Sequence, residues 1–256
     1  MIPTKILHGI NSVTLRLPQL IRLRSGVKVA TYGKAHNNLF WNIFTSPQYI
    51  QHFRALIQLD IRPSHIIDCG AAWGYFSLLI KHMVKNGLLD WKDLDFTLVE
   101  PNSKNVGHPK INAELNFQPD EFRKIQGLVG KHSGSAQFFR SRGHPWGSSV
   151  HHRENSSNIG AIPFFDLTDL FDKGNCLLKL DIEGGEFDFF CQYRQQLACT
   201  CAIIVEFYAE MGNVSESQTH LREAGFELAL TSMHVGNRSV HLYVKSDRKR
   251  APKLPD

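Results

Sequence analysis

The chain has 256 residues, 42% of them hydrophobic, 21% charged and 11% aromatic, with 19 Gly and 11 Pro. A chain of this length and make-up can bury about three quarters of its unfolded surface around one core, which excludes a disordered or fibrous protein. The net charge is +5, and much of the excess sits near the ends, at Arg16, Arg22, Arg24 and Lys28 and at Lys245, Arg248, Lys249, Arg250 and Lys253; this reads as solvated ends, whereas a nucleic-acid binder gathers charge over a face.

The five cysteines, Cys69, Cys176, Cys191, Cys199 and Cys201, form no CxxC pair and mostly occupy apolar stretches, so neither a disulfide framework nor a zinc site is expected. Cys199 and Cys201 are expected to share one strand face. The opening residues lack a continuous apolar core, and no run approaches the roughly 18 apolar residues of a membrane span. A cytoplasmic protein is the expectation.

In chain order, residues 1–60 are expected to form a helical front section. Ser46 can cap a helix carrying Tyr49, Ile50, Phe53, Leu56, Ile57 and Leu59 at helical spacing, which is expected to cover one side of the remaining chain. From Ser64 short apolar runs alternate with amphipathic stretches: HIIDCG, YFSLLIKHMV, DFTLVEP, a polar helix near Lys110 to Leu115, and KIQGLVG. Later come CLLKLDIEG, a helix near Glu186 to Leu197, CAIIVEFY, a helix near Glu216 to Ala224, and the strands FELALTS and SVHLYVK.

Almost wholly apolar strands separated by helices indicate a parallel sheet covered on both faces. The fold class is α/β, a Rossmann-like doubly wound sheet of about seven strands, mostly parallel, in a single domain with a core over 64–245 and a basic tail over 246–256. The turn at Gly236 and Asn237 makes the last two strands a hairpin, so the sheet is expected to end with an antiparallel strand. Lys131 to Gly160 is polar and rich in Ser, Gly and His. It reads as a long loop, either a lid over the acceptor or a surface insertion, with Trp146 a candidate stacking face. His144, His151 and His152 fall in the same segment and His241 in the last strand; all four read as ordinary solvated or packed histidines.

Three segments carry chemistry. HIIDCG runs into Gly70-Ala71-Ala72-Trp73-Gly74 and then a helix, where small residues let a ligand approach free backbone amides. Ala72 stands where the dinucleotide fingerprint GxGxxG needs Gly, and no GK[ST] follows for a P-loop. DFTLVEP ends in Glu100, placed to accept both hydroxyls of a ribose. KLDIEGGE brings Asp181, Glu183 and Glu186 to a strand end. The two glutamates also suit a helix first turn, whereas Asp181 ends a buried strand and calls for a proton, a cation or a ligand.

Together, IIDCGAAWGYFS, FTLVEPN and LLKLDIEGGE followed by AIIVEFY resemble the FkbM family of S-adenosylmethionine-dependent methyltransferases, over roughly Ile66 to Tyr243. Ser148-Ser149 and LREAGFEL are similar to it too. Ala72-Trp73 departs from the usual family loop, and the first 60 residues have no counterpart. The resemblance implies the class I methyltransferase fold and O-methylation, often of a sugar-containing metabolite, so that the partner is a small-molecule or carbohydrate acceptor. It implies Asp68, Gly70, Ala71, Gly74, Tyr75, Glu100, Asn102, Leu128 and Asp181 as the S-adenosylmethionine contacts.

Asp181 is the candidate general base or acceptor-positioning group, supported by Glu183 and Glu206. Asp181 and Glu206 end adjacent strands, and their repulsion requires a shared proton, a protein cation or a metal. A divalent metal, suggested by the position of the acidic ligands in catechol-type O-methyltransferases, is admitted but not favoured. Two other readings stay open. A nucleic-acid methyltransferase would use the same cofactor, but the chain has neither an NPPY-like loop nor a Pro-Cys nucleophile; a non-catalytic nucleotide-binding scaffold would keep the fold alone.

Overall fold

The front section begins with more than helices in a computed structural model that describes residues 18–102, 111–141, 148–150 and 156–247. Strands β1 (Pro18–Arg22) and β2 (Lys28–Tyr32) form an antiparallel hairpin. The open edge of β2 is closed by asparagine side chains: the amides of Ala30 and Lys28 donate to Oδ1 of Asn112 (2.7 Å) and Asn116 (2.8 Å). A buried strand edge needs such partners, because unpaired backbone groups away from water are costly. Helices α1 (Gly33–Thr45) and α2 (Pro47–Gln58) come next. Ser46 caps α2 as expected, its hydroxyl accepting from the Gln48 amide, with Pro47 at the first helical position. Tyr49, Phe53 and Leu56 are buried, while Ile57 turns outward.

The rest of the chain runs through β3 (His65–Cys69), α3 (Tyr75–Lys85), β4 (Asp95–Val99), β5 (Phe122–Ile125), β6 (Leu128–Val129), β7 (Ser135–Ser141), β8 (Ser148–Ser149), β9 (Ser156–Phe165), β10 (Cys176–Leu180), α4 (Glu186–Gln192), β11 (Thr200–Tyr208), α5 (Val214–Glu223), β12 (Phe226–Val235) and β13 (Arg238–Lys245). Seven strands make one sheet in the order β12-β13-β11-β10-β3-β4-β5. Five are parallel, and β13 is antiparallel to both its neighbours. The chain's last strand is therefore antiparallel as expected, but it does not end the sheet: β13 inserts between β11 and β12, leaving β12 at the edge. The reason lies in composition, since β13 is buried along nearly its whole length whereas β12 alternates with exposed residues.

Alternate residues of each central strand serve two cores. Ile66, Leu177 and Ile204 pack with α2, α3 and the front hairpin on one face. Ile67, Leu178, Ile203 and Val205 pack with Phe189, Phe190, Tyr193 and Leu221 on the other. Strand order reverses between β3 and β10, so the ligand crevice of an open α/β sheet falls between their carboxyl ends.

The described residues of the expected loop over 131–160 are instead largely strand. β6, β9, β7 and β8 form a separate four-stranded sheet around Leu128, Phe138 and Ile162. KIQGLVG is divided between the sheets at Gly127, where a Cβ would crowd Phe165 and the Pro163 carbonyl at 3.1 Å. Trp146, His144, His151 and His152 lie outside the described residues. His241 is a packed strand residue, bonded to Thr231 and Ser239. Cys199 lies exposed in a turn and Cys201 is buried in β11, so the two do not share a strand face, and none of the five cysteines is in a disulfide. Among the described residues no helix is long and apolar enough to cross a membrane.

Candidate active site

Two loops meet at the crevice. The first leaves β3 through Gly70, whose φ is +73° and whose Cβ, were there one, would lie 1.8 Å from the Asp181 carbonyl oxygen; only glycine allows that approach. The second loop answers with the Asp181 amide, which donates to the Cys69 carbonyl at 3.2 Å. The first loop is also pinned to the end of β4. The amides of Gly70 and Ala71 donate to the Val99 carbonyl, and Glu100 takes the amides of Ala72 and Asn102 on its two oxygens, each at 2.9 Å.

Glu186 closes the second loop. Fully buried, it accepts from the amides of Ile182 (2.6 Å) and Gly184 (2.8 Å). Burial pushes its carboxyl up to about 7, against the pull of these bonds. Glu183 adopts a positive φ of 55° and accepts from the Tyr208 hydroxyl at 3.3 Å. Burial, with Asp181 and Glu183 adding to it, holds the Tyr208 phenol far above its ordinary range, so it stays a donor.

Lys179 stands beneath Asp181. Its ammonium is 3.4 Å from Asp68 Oδ1 and 3.5 Å from Asp181 Oδ2, and it donates to the Gly70 carbonyl at 3.0 Å. Burial alone would discharge it, but Asp181 and Asp68 outweigh that and hold it above the ordinary lysine range. Asp68 accepts from the Ser77 hydroxyl at 3.0 Å.

A cavity of about 660 Å³ opens between the loops, within the size range of ligand pockets. Gly70, Ala71, Glu100, Leu128, Asp181 and Glu183 of the expected set line it. The others stand back from it. Asp68 is wholly buried on Lys179 and Ser77. Gly74 caps α3 in a left-handed conformation, and the Tyr75 hydroxyl donates to the Ala30 carbonyl at 3.1 Å. Asn102 is buried with its amide on Glu100, and Glu206 is buried in an ion pair with Arg238.

Lys179, Tyr208, Arg238 and Tyr49 are among the lining residues that the sequence analysis did not place in the site. Lys179 had a signal, a lone charge inside the apolar run CLLKL. Arg238 had none, because it reaches the site only when β13 inserts beside β11. The repulsion expected between Asp181 and Glu206 is met by two protein cations, Lys179 and Arg238. Among the described residues no three His, Cys, Asp or Glu side chains group as metal ligands.

Residues 68–228 match the methyltransferase FkbM domain, well over half of the chain. The protein belongs to this family. As an FkbM methyltransferase it depends on S-adenosylmethionine. The residues present fit that group, since Glu100, a carboxylate suited to ribose hydroxyls, the apolar Leu128 and the Gly70 loop line the same cavity.

No curated protein matches this FkbM chain. Solved structures similar to it include a provisionally assigned S-adenosylmethionine-dependent methyltransferase from Streptococcus mutans, at 12% identity over 89% of this chain and 55% of that one, TM-score 0.46. Others are the provisionally assigned methyltransferase yhhF from Escherichia coli (13%, 78% and 87%, 0.44) and the METTL16 methyltransferase domain (11%, 78% and 68%, 0.46). The chain thus spans about half the length of the Streptococcus protein. At these scores the similarities add nothing to what the sheet order already establishes.

Proposed function

We propose that the protein methylates a hydroxyl oxygen of a small-molecule or carbohydrate acceptor, with Asp181 as general base or acceptor-positioning group. The observation that supports this is the position of Asp181: its backbone abuts the Gly70 loop, while its carboxylate, 28% exposed, lines the cavity. When bound, S-adenosylmethionine supplies a methyl group already activated by its sulfonium charge. The chain's own task is then to align an oxygen and remove its proton.

In this reading the Gly70 and Ala71 backbone holds the amino-acid end of the cofactor, Glu100 its ribose, and Leu128 its apolar surface. Asp181 takes the hydroxyl proton, Glu183 and Tyr208 define the neighbouring wall, and Glu206 acts through Arg238. The acceptor lies toward the inserted sheet, where Phe138 and Phe164 offer ring faces and His132 and Gln192 offer polar groups; ring faces beside hydrogen-bonding side chains are what a sugar requires.

The test is incubation with methyl-tritiated S-adenosylmethionine and three separate pools: a protein-free metabolite extract, mixed oligosaccharides, and total RNA. Label is expected in one of the first two, in a form stable to mild alkali, as an ether is and an ester is not. Label in RNA alone would replace the reading with the nucleic-acid one, and cofactor binding without transfer to any pool would favour the scaffold.

A further inference from the structure

We propose that Lys179 is a positioning residue, which fixes the Asp181 carboxylate against the cofactor loop so that base and methyl group share one anchor. The inference rests on the reading of Asp181 given above.

Lys179 lies inside β10, a strand buried along its whole length, and its side chain is 6% exposed. The residue nevertheless forms part of the cavity wall. It touches both loops: the Gly70 carbonyl at 3.0 Å and the Cys69 carbonyl at 3.5 Å on one side, and Asp181 Oδ2 at 3.5 Å on the other. Asp68 completes the group from behind at 3.4 Å. Neutralising Asp68 would not by itself require a lysine here, because a buried ion pair can be exchanged for uncharged residues of similar volume with little loss of stability. What an uncharged residue cannot do is hold the carboxylate of a second loop.

Asp181 needs that hold. No hydrogen bond or other ion pair to its carboxylate is made by the described residues. Its backbone is already fixed against β3 by the amide bond to Cys69 and the close approach to Gly70. Lys179 extends this fixity from the backbone to the carboxylate, where a displacement of about 1 Å is enough to cost on the order of 100-fold in rate.

Replacing Lys179 alone would strand Asp68 as a buried charge, so the decisive variant is Asp68→Asn with Lys179→Met, in which the pair is neutral. Its references are wild type and Asp68→Asn. S-adenosylmethionine affinity is read by calorimetry, and the initial rate by tritium transfer into the protein-free metabolite extract at saturating cofactor. The expected result is affinity within about 3-fold of Asp68→Asn and a rate lowered by about 30-fold or more. Adding the same two changes to Asp181→Asn should lower the rate no further, which a merely structural role would not produce.

A rate equal to that of Asp68→Asn would overturn the proposal, as would cofactor affinity lost in step with the rate. Should the double variant not fold, Lys179→Arg keeps a cation on Asp68 while shifting it relative to Asp181. A lowered rate at unchanged affinity then supports the proposal and an unchanged rate overturns it. Near-wild-type rate in Asp181→Asn is a different failure, that of the underlying reading.

Discussion

The seven-stranded sheet and the inserted four-stranded sheet face each other across the same cavity, yet they are held by different means. The large sheet is buried on both faces, and its two site loops are locked by the backbone contact of Gly70 with Asp181 and by the Ala72 amide donating to the Glu100 carboxylate. Among the described residues, the inserted sheet rests on three buried side chains, Leu128, Phe138 and Ile162. A wall made by backbone packing is rigid, because close-packed interiors deform little. A wall resting on a small satellite core opens at lower cost. In the proposed reading, cofactor binding and proton removal belong to the first wall, and acceptor choice to the second.

The sharpest way to break this contrast is Gly70→Ala. The new methyl would enter the Asp181 carbonyl at a positive φ, so we expect a loss of about 3 kcal/mol or more in stability, together with loss of cofactor binding. Thermal unfolding and calorimetry would read both, and a stable variant with normal affinity would refute the locked-loop account. Asp181→Asn keeps the shape and removes the proposed base. Turnover should fall by about 100-fold with cofactor affinity nearly intact.

Glu100→Ala should weaken S-adenosylmethionine binding by about 2 to 3 kcal/mol, through the ribose hydroxyls and through the Ala72 and Asn102 amides that lose their acceptor. Unchanged affinity by calorimetry would remove Glu100 from the site. Phe138→Leu tests the other wall. A loss of about 1 kcal/mol from the satellite core should raise the acceptor KM and leave cofactor affinity as it was. If both move together, the two walls are not independent.

Glu186 offers a pH test of the large-sheet side. Its folded-state carboxyl is raised from 4.5 to about 7 by burial. The stability tied to its protonated form is therefore complete below about pH 4.5 and is lost as the pH rises through about 7. Glu186→Gln lacks this titration, so its stability relative to wild type should be better at pH 8 than at pH 5, by about 1 kcal/mol or more as read by unfolding midpoints. A pH-independent difference would show that the buried carboxylate is not held as described.

Much of this molecule is decided locally. The apolar runs HIIDC, DFTLV and CLLKL announce strands because nearly every residue in them is buried, and Ser46-Pro47 announces a helix start through its own side chain. The acidic ends of those strands, Asp181 and Glu100, were legible for the same reason: a charge that closes an apolar run must sit at the sheet edge. What remained was decided by partners distant in sequence. Asp68 has the same local credentials as Asp181, but Ser77 and Lys179 draw it into the interior, away from the cavity. Arg238 becomes part of the site because β13 is buried enough to insert beside β11, and the inserted sheet exists because glycine-spaced, half-polar strands find one another across a polar stretch. Periodicity within a segment reports which face is buried, while the choice of what buries it belongs to the packing of the whole chain.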